Sequence, residues 1–152
     1  MHARTPYGGE ALFLMRRIII TILVAVHLVA SLWHGNLHSQ LSINLSPKQT
    51  LFVLVVILVA PIVAAALVWT RYVSSGLWVF FLSMLGSLLF GVYHHYVMVS
   101  SDNINFLPGV DSSSHHQFAL SAGVIALLEL AAALYGAFCL GRDRRGMTKS
   151  EL

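Results

Sequence analysis

Hydrophobic positions run through this chain in long blocks rather than at the spacing of half-buried helices. Residues 18–34 are almost wholly apolar after Arg16 and Arg17. Residues 51–69 contain no charged side chain, and Arg71 closes that run. Residues 76–99 are interrupted only by Ser83, Ser87 and a Tyr93-His94-His95-Tyr96 cluster, and residues 118–141 only by Ser121, Glu129 and Tyr135. A bilayer core takes about 20 residues of helix, so each block is long enough to cross one. The pattern predicts an all-α, polytopic membrane four-helix bundle, a single integral membrane domain over 1–152. Its expected spans are about 17–38, 47–70, 75–99 and 115–141. The first block carries His27 and lacks a clean small-x-small cleavage site, so it reads as a retained span rather than a signal sequence.

Local signals mark the helix ends. Ser46-Pro47-Lys48-Gln49 has the form of a capping box with proline at the first helical position. Ser114-His115-His116-Gln117 repeats the Ser-x-x-Gln form. Pro61, inside the second span, predicts a kink. Ala132 and Gly136, with Ala133, Ala137 and Gly141, give the fourth span faces on which another helix can pack closely.

Charge then orients the bundle. Of the nine lysines and arginines, Lys48 alone falls on the side of the 35–50 and 100–117 loops. Arg4, Arg16, Arg17, Arg71, Arg142, Arg144, Arg145 and Lys149 fall on the side of both termini. Basic residues are retained on the cytoplasmic side. Both termini are expected there, and the two loops outside; in a bacterium that is the periplasmic face of the inner membrane.

Composition agrees and excludes other classes. Charged residues make up 10% of the chain and hydrophobic ones 57%, with a mean hydropathy of +0.78. A water-soluble globule of this length cannot bury so much apolar side chain, which argues against a soluble enzyme or a nucleic-acid binder. The net charge of +3 reflects topology, not a nucleic-acid partner. The expected surroundings are the lipid bilayer and either another membrane protein or a second copy of the chain. A single cysteine, Cys139, excludes an intrachain disulfide.

Histidine is the exception in this composition. There are eight, more than the six acidic residues. His2 falls on the cytoplasmic side. His34, His38, His94, His95, His115 and His116 all fall at the outer ends of three different spans. His27, Ser31, His34 and His38 lie within about 60° on one face of the first helix at 100° per residue. His34 and His38, four residues apart, are neighbours on that face and can share a metal ion. Adjacent residues point about 100° apart on a helix, so one member of the His94-His95 pair faces inward. His94 shares a line with Ser83 and Ser87 and is the expected inward one. Two carboxylates, Asp102 and Asp111, lie in the outer loop between His95 and His115, and Asp111, four residues before His115, can close on the same site.

The candidate ligands are therefore His34, His38, His94, His115, His116 and Asp111. Imidazole with carboxylate suits a transition metal, with copper or zinc favoured over iron, and not calcium or magnesium. Haem b held between His27 or His34 and His94 is the alternative, with Gly91 leaving room for a porphyrin. No nucleophile-base pair or phosphate loop stands out, so catalytic residues are not assigned.

Glu129 stands near the middle of the fourth span. An acidic side chain at that depth costs about 2.5–3.5 kcal/mol on insertion scales and normally has a partner. His27 is the ionisable group at similar depth, so the two are expected to form a buried polar pair or proton relay; the alternative is a protonated Glu129 bonded to a backbone carbonyl or to a hydroxyl such as that of Thr21 or Tyr135. Two functional readings follow. One is a membrane protein with an outward histidine-rich metal site, handling metal or performing redox chemistry. The other is an accessory subunit whose histidines bind haem, line an interface or relay protons.

Overall fold

The computed structural model describes residues 7–106 and 112–147. Four helices account for most of them, and there is no strand among the described residues: α1 (Tyr7–Gln40), α2 (Pro47–Leu67), α3 (Val73–Val97) and α4 (Ser112–Met147). All four are long and apolar enough to cross a membrane. Leu32, Leu54, Leu89, Leu127 and Leu134 stand exposed on their outer faces. That is the inside-out pattern of a bundle whose surroundings are lipid.

The helix ends follow local chemistry. Ser46 caps α2, and the Ser46 and Gln49 side chains satisfy each other's backbone N–H groups in a complete capping box. Helix α1 stops differently. Ser42 N–H donates to the Ser39 carbonyl, Ile43 N–H donates to the His38 carbonyl, and Ser42 takes the left-handed φ of 54°. This is a Schellman stop with serine where glycine is usual. It seats Ile43 beside Leu37 and Phe118 in a small apolar cluster. The second Ser-x-x-Gln pattern does not open its helix. α4 is already helical from Ser112, which puts Ser114 inside the first turn.

Pro61 acts as a winding change rather than a simple break. Val53–Val59 is π-helical, with Ala60 N–H bonded to the Val55 carbonyl five residues back. Proline has no N–H for the usual bond and crowds the carbonyl four residues before it, and the wider turn accommodates both. A second π turn covers Tyr93–Val97, where Met98 N–H reaches the Tyr93 carbonyl.

Helices α3 and α4 share the most extensive contact. Ala132, Ala133 and Gly136 are buried on α4, and a Cβ on Gly136 would stand 3.2 Å from both Phe80 and Phe81. Ala137, on the other small-residue face, is exposed. At the end of the bundle near the termini, Arg16 on α1 meets Asp143 on α4 at 3.5 Å, and the Trp69 indole donates to Thr21 at 3.0 Å. The histidines gather at the opposite end.

Candidate functional site

His34, His38 and His95 offer ring nitrogens that lie within 4.8 Å of one another, close enough to hold one metal ion. His34 Nε2 is 3.1 Å from His95 Nε2 and 3.1 Å from His38 Nε2. Helix α1 supplies His34 and His38 from adjacent turns, and α3 supplies His95. Phe118 on α4 packs against all three rings.

The neighbours of these rings decide where their hydrogens sit. Ser121 donates its hydroxyl hydrogen to the Phe118 carbonyl at 2.9 Å, so it can only accept from His34 Nδ1, 2.7 Å away. His95 Nδ1 faces two acceptors, the Asp102 backbone oxygen at 2.9 Å and its carboxylate oxygen at 3.1 Å. Both Nδ1 atoms therefore carry hydrogen. A neutral imidazole has one N–H, so the two Nε2 atoms meet with lone pairs facing. That contact is repulsive in a buried site unless a metal ion or a shared proton sits between the rings. His38 Nε2, beside His34 Nε2, adds a third donor atom to the cluster and lies 3.3 Å from the Asp102 carboxylate, while its Nδ1 has no hydrogen-bond partner.

Asp102 belongs to the loop that follows α3. Asn103 ties that loop to the Met98 carbonyl, and Ile104 N–H bonds the His95 carbonyl. Burial alone would raise the Asp102 carboxyl, but the close approach of His95 Nδ1, and any positive charge shared among His95, His38 and His34, outweigh it and hold it below the usual carboxylate range. A carboxylate on the far nitrogen of a ligating histidine orients the ring and makes it a better donor. Asp102→Asn is expected to weaken metal binding by about 10–100-fold while leaving the helices intact, as competition with a chelator and far-UV circular dichroism would show.

The sequence-based ligand set is only partly brought together. His34 and His38 enter the cluster, but His94 does not, and the expected choice within the pair is reversed. On uniform α winding His94 follows Ser87 inward. The π turn at Tyr93–Val97 slows the rotation, so His95 comes round and His94 turns away to Gln49 at 3.3 Å and to the Phe90 ring. His115 is exposed and bonds the Ile104 carbonyl. His116 is also exposed. Asp111 and His2 lie outside the described residues. Asp102 takes the place beside the rings that Asp111 was expected to fill. Ser121 was not singled out as a partner, since a lone serine in an apolar helix carries no spacing signal.

A second polar group lies deeper. His27 Nε2 is 3.0 Å from Glu129 Oε1, and the Ser87 hydroxyl donates to the same oxygen. Ser31 lies 3.5 Å from His27. His27, Ser87 and Glu129 are all at most 2% exposed. His27, Ser31, His34 and His38 thus share one inward face of α1, the lower pair serving Glu129 and the upper pair the cluster. A cavity of about 780 Å³ joins the two sites, lined by His34, His38, His95 and Asp102 at one end and by Ser87 and Glu129 at the other.

No family model matches this chain, and no curated protein or solved structure is detectably similar to it.

Proposed function

We propose that this protein binds one transition-metal ion, zinc or copper, through His34, His38 and His95, near the membrane surface on the side away from the termini. The observation that carries the reading is the meeting of Nε2 atoms whose opposite nitrogens are both held protonated. Two ligands on one zinc at about 2.0–2.1 Å each stand roughly as far apart as these nitrogens do. Three histidines leave a coordination position open, as sites that handle substrate or exchange metal do and closed structural sites do not. Metal handling or redox chemistry at that position is the function inferred. Glu129 lines the far end of the same cavity and, with His27 bonded to it from behind, supplies a buried group that can exchange a proton.

Haem fits this arrangement less well. Nitrogens 3.1 Å apart suit neighbouring positions on one ion, not the two opposite faces of a porphyrin, and His94 points elsewhere. Metal analysis of the purified chain with its visible spectrum tests the proposal. About one equivalent of metal without a Soret band is expected; a chain that neither retains nor takes up metal would overturn it.

The orientation is proposed from the basic residues. A reporter fused to the C-terminus is expected to read cytoplasmic, and one inserted beside Asp102 external. A cytoplasmic signal from the Asp102 loop would place the cluster on the opposite face of the membrane.

A further inference from the structure

The cavity between the histidines and Glu129 has a chemistry of its own. One wall is apolar, made by Val53, Ile57 and Leu58 of α2 and by Phe90 of α3. Leu32, Gly35, Asn36 and Ser39 of α1 line the cavity and are exposed, so the cavity opens at the outer surface of α1. On a membrane-spanning helix Leu32 faces lipid, which gives the cavity a lateral mouth beside a polar rim of Asn36, Ser39, Ser42 and Asn44 at the membrane surface. Its volume of about 780 Å³ is that of a small-molecule site.

The polar end is built from few groups. His27 and Ser87 both engage Glu129 Oε1. The other oxygen, Oε2, faces Gly91: a Cβ there would stand 4.0 Å from Oε2 and 3.9 Å from the His95 ring. The missing side chain of Gly91 therefore leaves a passage between the carboxylate and the histidines.

We propose that this cavity binds a neutral, lipid-soluble hydroxyl compound, its oxygen lying between the histidine cluster and Glu129 Oε2 and its apolar body against Val53, Ile57 and Leu58. A hydroxyl is the simplest group that serves both ends. Its hydrogen donates to the carboxylate, and its lone pairs face the open position of a metal. A charged head group has no counter-ion here beyond the acid and histidines that already pair with each other, and burying an unpaired charge is costly. The apolar walls and the lateral mouth select a molecule that arrives through the bilayer. The part played by the metal rests on the function proposed above; the part played by Glu129 does not.

The test uses the full chain in lipid nanodiscs, with 4-heptylphenol as probe and empty nanodiscs as the control for partitioning. Equilibrium dialysis is expected to show one saturable site. 4-Heptyltoluene, which has the same body without the hydroxyl, is expected to bind at least about tenfold more weakly, because the carboxylate then loses its donor. Gly91→Leu fills the passage and Ile57→Trp fills the apolar wall. Each is expected to weaken binding by about tenfold or more, and circular dichroism establishes that each variant is folded. Uptake equal to that of empty nanodiscs overturns the proposal. So does equal binding of the phenol and the toluene, or unchanged affinity in both cavity variants. Saturable, hydroxyl-dependent binding to a chain that holds no metal supports the cavity and defeats the metal reading alone. A metal-loaded chain that ignores the phenol does the reverse.

Discussion

Replacing His34 or His95 with alanine is expected to reduce bound metal to background. Loss of a group that only orients a ligand costs about 10–100-fold in affinity, and loss of a ligand should cost more. His38→Ala is expected to lower metal content as well, since its Nε2 meets His34 Nε2 at 3.1 Å. His94→Ala, His115→Ala and His116→Ala serve as controls. His94 is engaged by Gln49, and the other two are exposed, so all three should retain metal at the wild-type level. Elemental analysis after dialysis separates these groups. Equal metal in wild type, His34→Ala and His95→Ala would remove the site. The facing lone pairs of His34 and His95 would then have to be reconciled by a shared proton, making the cluster a proton-handling group.

The second large effect is expected at the buried pair. His27→Ala leaves Glu129 with Ser87 alone, and Glu129→Ala leaves His27 with Ser31 alone, at 3.5 Å. Leaving a buried hydrogen-bonding group without its partner costs about 1–3 kcal/mol, and more where that group is charged. Each variant should therefore unfold at a clearly lower temperature in detergent. The conservative cycle is more informative. If the two side chains interact as their 3.0 Å separation indicates, His27→Gln and Glu129→Gln together should cost less than the sum of the single changes, by roughly 0.5–3 kcal/mol. Additive costs would show that the contact contributes nothing to stability, and the proton path would lose its first step. A nearly neutral Glu129→Gln would mean that the group acts as a hydrogen-bonding shape, since the amide oxygen can still accept from Ser87.

The four helices were legible in the sequence because each apolar block exceeds the length a bilayer requires, whatever its neighbours do. The Ser46–Gln49 capping box was legible because all its atoms lie within one turn. The meeting of His27 with Glu129 could be anticipated from depth alone, as two ionisable groups in otherwise apolar spans have few other partners. The inward face carrying His27, Ser31, His34 and His38 followed from helical spacing, which α1 keeps without interruption over that stretch.

What the sequence by itself determined, then, was composition at a given depth: how many helices cross, and which histidines lie near the same end. Tertiary structure decided which of them meet. His95 replaced His94 because a π turn altered the angular register of α3, a winding change that the periodicity of an ideal helix does not carry. Ser121 and Asp102 became partners of the rings across 87 and 7 residues of chain. The first contact depends on how α4 packs against α1, the second on a loop folding back over the end of α3. His115 stayed outside because the first turn of α4 presents it to the Ile104 carbonyl rather than to the bundle. Hydropathy places a residue along the membrane normal, but rotation about each helix axis is set by packing against neighbours, and on that rotation the coordination of a metal depends.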